Sequence, residues 1–177
     1  MRSMFNDEFA FAFTGLYDVS RAVLLEQFRK NLERYSGSKI LRLKDWYDAF
    51  DRLRSYLETL QRERIVIFLD ELLWMDTRKS NFLPAFSFFW NDWASTVSNM
   101  KIIVCGSATT WMMSHVIGDK GGLYGRVSRA IYLSSFTLAE TEEFLKKVKG
   151  MEISHRENMG KVYRLTQIGR KKTDSIA

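Results

Sequence analysis

The stretch Arg64-Ile65-Val66-Ile67-Phe68-Leu69-Asp70-Glu71 runs five consecutive apolar residues into two adjacent carboxylates. A run without polar alternation suits a strand covered on both faces, as in the parallel sheet of an α/β protein. Ligands of such sheets gather at the carboxyl ends of the strands, which is where Asp70 and Glu71 are expected. The stretch reads as a buried strand that delivers two acids to a site.

The rest of the chain surrounds that strand with alternating elements. Upstream, Phe9, Phe11 and Phe13 fall on every second position and predict a short strand broken at Thr14-Gly15. Asp18 or Ser20 caps a helix to about Tyr35 with Leu24, Phe28 and Leu32 on one face, and Ser36-Gly37-Ser38 stops it. Asp45 caps a second helix with an apolar stripe of Trp46, Ala49, Phe50, Leu53, Leu57 and Leu60.

Downstream, Leu72 to Arg78 reads as a loop or ragged turn, and Ser80 or Asn81 opens a third helix with Pro84 in its first turn. Phe82, Phe86, Phe89, Trp90, Trp93 and Val97 repeat at helical spacing and, with Phe88, are expected in the core. Ile102 to Cys105 is a second candidate buried strand, followed by a helix from Ala108 to Ile117. Ile131-Tyr132-Leu133 is a weak strand, and Thr137-Leu138-Ala139-Glu140 is a capping box opening a helix to about Val148. Strands alternating with amphipathic helices predict a mostly parallel sheet flanked by helices.

Composition narrows the class. With 177 residues and 46% hydrophobic content the chain has length for one domain and material for a sizeable core. Its single cysteine, Cys105, rules out an internal disulfide, and the first residues lack a signal-peptide pattern, so a reducing, cytoplasmic setting is expected. The apolar runs fall short of the roughly 20 residues of a membrane helix, so no membrane partner is expected. The formal charge of +6 is confined to Lys146 to Ala177, where nine basic residues face three acidic ones. Residues 1–150 therefore read as one core and residues 151–177 as a basic tail, poorly ordered or truncated, that could bind nucleic acid.

Isolated His115 and His155, with Cys105 inside an apolar run, give neither metal-ligand spacing nor a Cys/His nucleophile pair. The adjacent acids Asp70 and Glu71 match a Walker B motif, although a strand can also end in two acids merely on emerging into solvent.

The ordered set Phe13-Thr14-Gly15, Asp45-Trp46-Tyr47-Asp48-Ala49-Phe50, Phe68-Leu69-Asp70-Glu71-Leu72-Leu73-Trp74-Met75, Phe89-Trp90-Asn91-Asp92-Trp93, Cys105-Gly106-Ser107-Ala108-Thr109-Thr110-Trp111 and Gly121-Gly122-Leu123-Tyr124-Gly125-Arg126 closely resembles the archaeal and Bacteroidetes-type ATPases of the AAA+/STAND P-loop superfamily. The resemblance covers about Glu8 to Val148 and implies an α/β fold, a RecA-like three-layer αβα sandwich with strand order 5-1-4-3-2.

By that resemblance ATP and Mg²⁺ are the cofactors. Asp70 helps hold the metal and Glu71 polarises the attacking water. Ser107 occupies the sensor-1 position, with Thr109 as a weaker substitute; its alternative role is to cap the following helix. Arg126, or else Arg129, neutralises γ-phosphate charge; a solvated loop arginine is the plain alternative.

The departures matter equally. No Gly-x-x-x-x-Gly-Lys-Ser/Thr phosphate cradle occurs in the chain. Gly121 to Ser128 has Arg126 where lysine belongs and follows the acidic strand instead of preceding it. The family carries its P-loop upstream of Phe9, so the expectation is a fragment without strand 1 and without the C-terminal lid, inactive by itself, whose parent couples Mg-ATP hydrolysis to a conformational switch. The alternatives are a non-catalytic module that meets a protein partner or a second copy through exposed sheet edges, and a nucleic-acid binder acting through the tail.

Overall fold

A computed structural model of the chain describes residues 9–77, 79–107, 109–118, 122–123, 125–131 and 136–149. They fall in two compact units, residues 1–127 and 128–177.

The first unit is an α/β arrangement around a three-stranded parallel sheet of β1 (Phe11–Thr14), β2 (Ile65–Asp70) and β3 (Met100–Val104), in the order β1-β2-β3. The 64–71 stretch thus supplies the central strand, and its burial on both faces matches its unbroken apolar run. Parallel neighbours require crossovers. α1 (Arg21–Ser36) and α2 (Trp46–Leu57) make the first, and α3 (Leu72–Met75) and α4 (Phe82–Asp92) the second.

Local chemistry sets most helix ends. Ser20 caps α1 by accepting from the Val23 N–H at 3.4 Å, while Asp18, the other candidate, sits at φ 52° outside the helix. Gly37 ends α1 at φ 67°, a left-handed conformation that glycine adopts without steric cost. Asp45 accepts from the Asp48 N–H at 3.0 Å, and Asp48 accepts from the Lys44 N–H at 3.0 Å.

Alternate residues of β2 enter different clusters. Ile65, Ile67 and Leu69 join the main core with Phe11, Phe13 and the buried faces of α1, α2 and α4. Val66 and Phe68 join Phe9 and Ala12 in a smaller cluster, against which Ile103 and Cys105 pack. Side chains alternate across a sheet, so these clusters lie on its two faces. Within the first unit α1, α2 and α4 pack on the face that carries the main core.

Trp46 sits at the centre of the main core, fully buried, with Phe82, Phe28, Phe50 and Phe13 at centroid distances of 4.9, 5.6, 6.3 and 6.5 Å. Its indole N–H has no hydrogen-bond acceptor among the described residues.

Several expectations change. Leu72 to Met75 forms one helical turn, not a loop, because Leu72 and Met75 are buried while the turn still bonds, Asp76 N–H to Leu72 O at 3.3 Å. α4 stops at Asp92 and gives way to a 3₁₀ turn at Ala94–Thr96, so Val97 lies outside the helix. Phe88, expected in the core, is 57% exposed, since it lies off the stripe defined by Phe82, Phe86 and Phe89. The helix after β3 is a short α5 (Thr109–Met112) continued by a π turn at Met113–Ile117. β3 is only half-buried over Ile102 to Val104.

The second unit contains α6 (Leu138–Lys149). Its capping box forms as the sequence implies: Thr137 N–H donates to Glu140 Oε2 at 2.7 Å and Glu140 N–H to Thr137 Oγ1 at 3.3 Å. Of the weak strand, Ile131 is irregular and exposed, and Tyr132 and Leu133 lie outside the described residues, as does the tail 151–177.

Trp46 generates a stability prediction. Trp46→Ala should destabilise the chain by about 3–5 kcal/mol in urea unfolding. Trp46→Phe, which also removes the unpaired donor, should cost less than about 1.5 kcal/mol.

Candidate functional site

Strand register brings three loops to one edge of the sheet. Thr14 pairs with Asp70, and Leu69 with Val104, so the chain leaves the strands at neighbouring points. The backbone ladder continues past the strand ends: Gly15 N–H donates to Asp70 O at 2.8 Å, Cys105 N–H to Leu69 O at 2.9 Å, and Leu72 N–H to Cys105 O at 3.1 Å.

This frame positions both acids. Asp70 Oδ1 accepts from the Glu71 backbone N–H at 3.0 Å and from the Cys105 thiol at 2.6 Å. Glu71 Oε2 accepts from Ser107 Oγ at 3.1 Å, with the Ser107 N–H at 3.5 Å. Neither carboxylate forms an ion pair among the described residues. The donors that orient them are neutral.

Glu71 turns the chain at φ 51° and ψ 53°, a left-handed conformation that costs a non-glycine residue roughly 1–2 kcal/mol. Such strain persists where surrounding structure over-determines it. Here Gly15 presses on the turn: a Cβ at Gly15 would lie 2.4 Å from Glu71 O and 3.1 Å from Trp74 Cβ. Glycine at 15 is therefore required by close backbone approach.

Burial, reinforced by the Asp70 carboxylate, pushes the Cys105 thiol up to about 12. The thiol is thus held protonated as a donor. Partial burial also raises the Asp76 carboxyl above its ordinary range, against the opposing Leu83 N–H and His115.

Of the residues singled out from sequence, Asp70, Glu71 and Ser107 are brought together. Ser107 spends its hydroxyl on Glu71. Arg126 is exposed in a turn after Gly125 and makes no ion pair with Asp70 or Glu71. Arg129 belongs to the second unit and is exposed. Thr109 opens α5.

The glycine-rich segment has a structural purpose at Gly122. A Cβ there would lie 2.6 Å from Ser87 Cβ, and Asn91 Nδ2 donates to Gly122 O at 2.8 Å, which pins the segment to α4. Ser114 Oγ lies 2.7 Å from Nδ1 of the adjacent His115 and donates to Thr110 O at 2.9 Å, while the His115 ring stacks on Trp111.

Sequence reasoning missed the role of Cys105. The signal was its register with Asp70, visible only once the two strands are paired.

Among the described residues no three His, Cys, Asp or Glu side chains cluster as a complete metal-ligand set. Among the described residues both donors to Asp70 use Oδ1 and none is given to Oδ2, so the donor set suits a hard cation that takes most of its shell from water and phosphate, as Mg²⁺ does. No helix among the described residues is long and apolar enough to cross a membrane. No protein-family model matches the chain, and no curated protein matches it.

The buried thiol makes a pH prediction. At pH 8 Cys105 should react with iodoacetamide at least about a hundredfold more slowly in the folded chain than in urea, because so little thiolate is present. The folded-state rate should climb with pH toward 12, as followed by mass spectrometry.

Proposed function

We propose that the chain carries the acidic half of a nucleoside triphosphate site: an ATP-binding element of the AAA+/STAND type whose parent couples hydrolysis of Mg-ATP to a conformational switch. The observation that carries this reading is the pair Asp70 and Glu71 at the carboxyl end of the central parallel strand, each oriented by separate donors. The order β1-β2-β3 supports it, because it equals the 2-3-4 portion of a 5-1-4-3-2 sheet, read from the edge inward.

On this reading Asp70 would help hold Mg²⁺, which when bound would neutralise phosphate charge. Glu71 accepts hydrogen-bond character from the attacking water, and Ser107 keeps its carboxylate from swinging away. Arg126 or Arg129 supplies positive charge toward the γ-phosphate. The phosphate-cradling strand belongs beside β3, whose outer edge pairs with no described strand. Without that cradle the chain binds nucleotide weakly and does not turn it over.

The open edge of β3 also supports a second reading, a module that associates through an added strand. Its residues Ile102, Ile103 and Val104 are β-branched and half-buried, the composition of a strand that accepts a neighbour.

Calorimetric titration with Mg-ATP separates the two. Saturable binding near 1 mM, about −4 kcal/mol, weakened at least tenfold by Asp70→Asn, is the expected result. Binding unchanged by that variant, or none at all, overturns the nucleotide reading. Sedimentation that shows concentration-dependent dimers lost on Ile103→Lys would favour the second.

A further inference from the structure

The nucleotide reading assigns no task to Cys105, yet the chain's single cysteine touches the acid that reading depends on. Cys105 directly follows β3, and its backbone N–H bonds Leu69 O, which sets it beside Asp70 across the two strands. Cross-strand neighbours are the pairs that side chains of a sheet act through.

The sulfur has two environments. It packs against the apolar cluster of Phe9, Ala12, Val66 and Phe68, and its hydrogen points to Asp70 Oδ1 at 2.6 Å. Cysteine suits both: it behaves as a small apolar side chain with a weak donor. Alanine would fill the apolar side and leave the carboxylate without that donor. Serine would keep the donor at some cost in packing.

We propose that Cys105 is a positioning residue for cation binding: its thiol, together with the Glu71 N–H, occupies Oδ1 of Asp70 and fixes the carboxylate so that Oδ2 is the oxygen presented to a divalent cation. The proposal rests on the nucleotide reading, in which Asp70 is the metal-holding acid. Outer-shell partners of this kind orient a ligand and typically change metal affinity when removed. The thiol takes part in no covalent step.

Two measurements on the full chain test it, with Mn²⁺ alone as the probe. In the infrared, the S–H stretching band of the wild-type protein should lie at lower frequency than in Asp70→Asn, where the charged acceptor is gone. By electron paramagnetic resonance titration, Cys105→Ala should weaken Mn²⁺ binding about tenfold, and Cys105→Ser should restore it to within about threefold of wild type. Circular dichroism confirms that each variant is folded, and the infrared comparison needs no cysteine variant. An S–H band indifferent to Asp70→Asn overturns the proposal, as does Mn²⁺ binding by Cys105→Ala equal to wild type while Asp70→Asn loses it. If Asp70→Asn binds Mn²⁺ as wild type does, or wild type binds none, the reading of Asp70 as metal ligand fails and the positioning role fails with it.

Discussion

The pairing of β2 on both sides governs everything at the carboxyl edge. A buried strand must satisfy its backbone groups with neighbours, since no water reaches them. β1 and β3 do this along the strand, and three further bonds, from Gly15, Cys105 and Leu72, carry the ladder beyond it. Asp70 therefore cannot slide or rotate as a loop residue would. Its backbone is fixed from both flanks before its side chain makes any contact. The left-handed turn at Glu71 follows, because the chain must leave a fully paired strand and enter α3 within one residue.

What could be read from sequence divides along the same line between local and cross-strand interactions. The caps at Asp45 and Thr137 and the stop at Gly37 are decided within four residues and were legible, and Ser20 was one of two candidates with Asp18 for the first cap. So was β2, whose apolar run needs only burial on both faces. The single turn α3 was not, because its helicity depends on burying Leu72 and Met75 and not on propensity. Phe88 shows a related limit: an aromatic side chain inside an aromatic helix reads as core, and only its position off the stripe exposes it. At the site, Asp70 and Glu71 were legible from their place after the run. Ser107's bond to Glu71 and Cys105's bond to Asp70 depend on strand register, which a single sequence does not display.

The two edges of the sheet are treated differently. β1 is buried from Phe11 to Phe13, is covered by α1, and has its Ala12 carbonyl met by Asn31 Nδ2 at 3.5 Å. β3 has half-buried residues and, on its outer side, no described partner; Lys101 is its exposed charge. Natural sheets blunt edges that are meant to stay free. The unequal protection is what a sheet that continues past β3 would have, and both functional readings draw on it.

On the nucleotide reading, charge is what suits the carboxyl edge to a cation. Among the described residues, the ion pairs of the first unit all involve helix-borne residues, among them Arg29 with Glu26 and Arg54 with Asp92. Asp70 and Glu71, adjacent in sequence and held at one strand end, are given only N–H, S–H and O–H donors. Neutral donors orient a carboxylate without cancelling its field, whereas an arginine in the same place would do both. On the nucleotide reading, the neutral donors leave the charge of both carboxylates available to a cation. Cysteine is the donor consistent with that balance at Asp70, because its thiol stays neutral well above physiological pH.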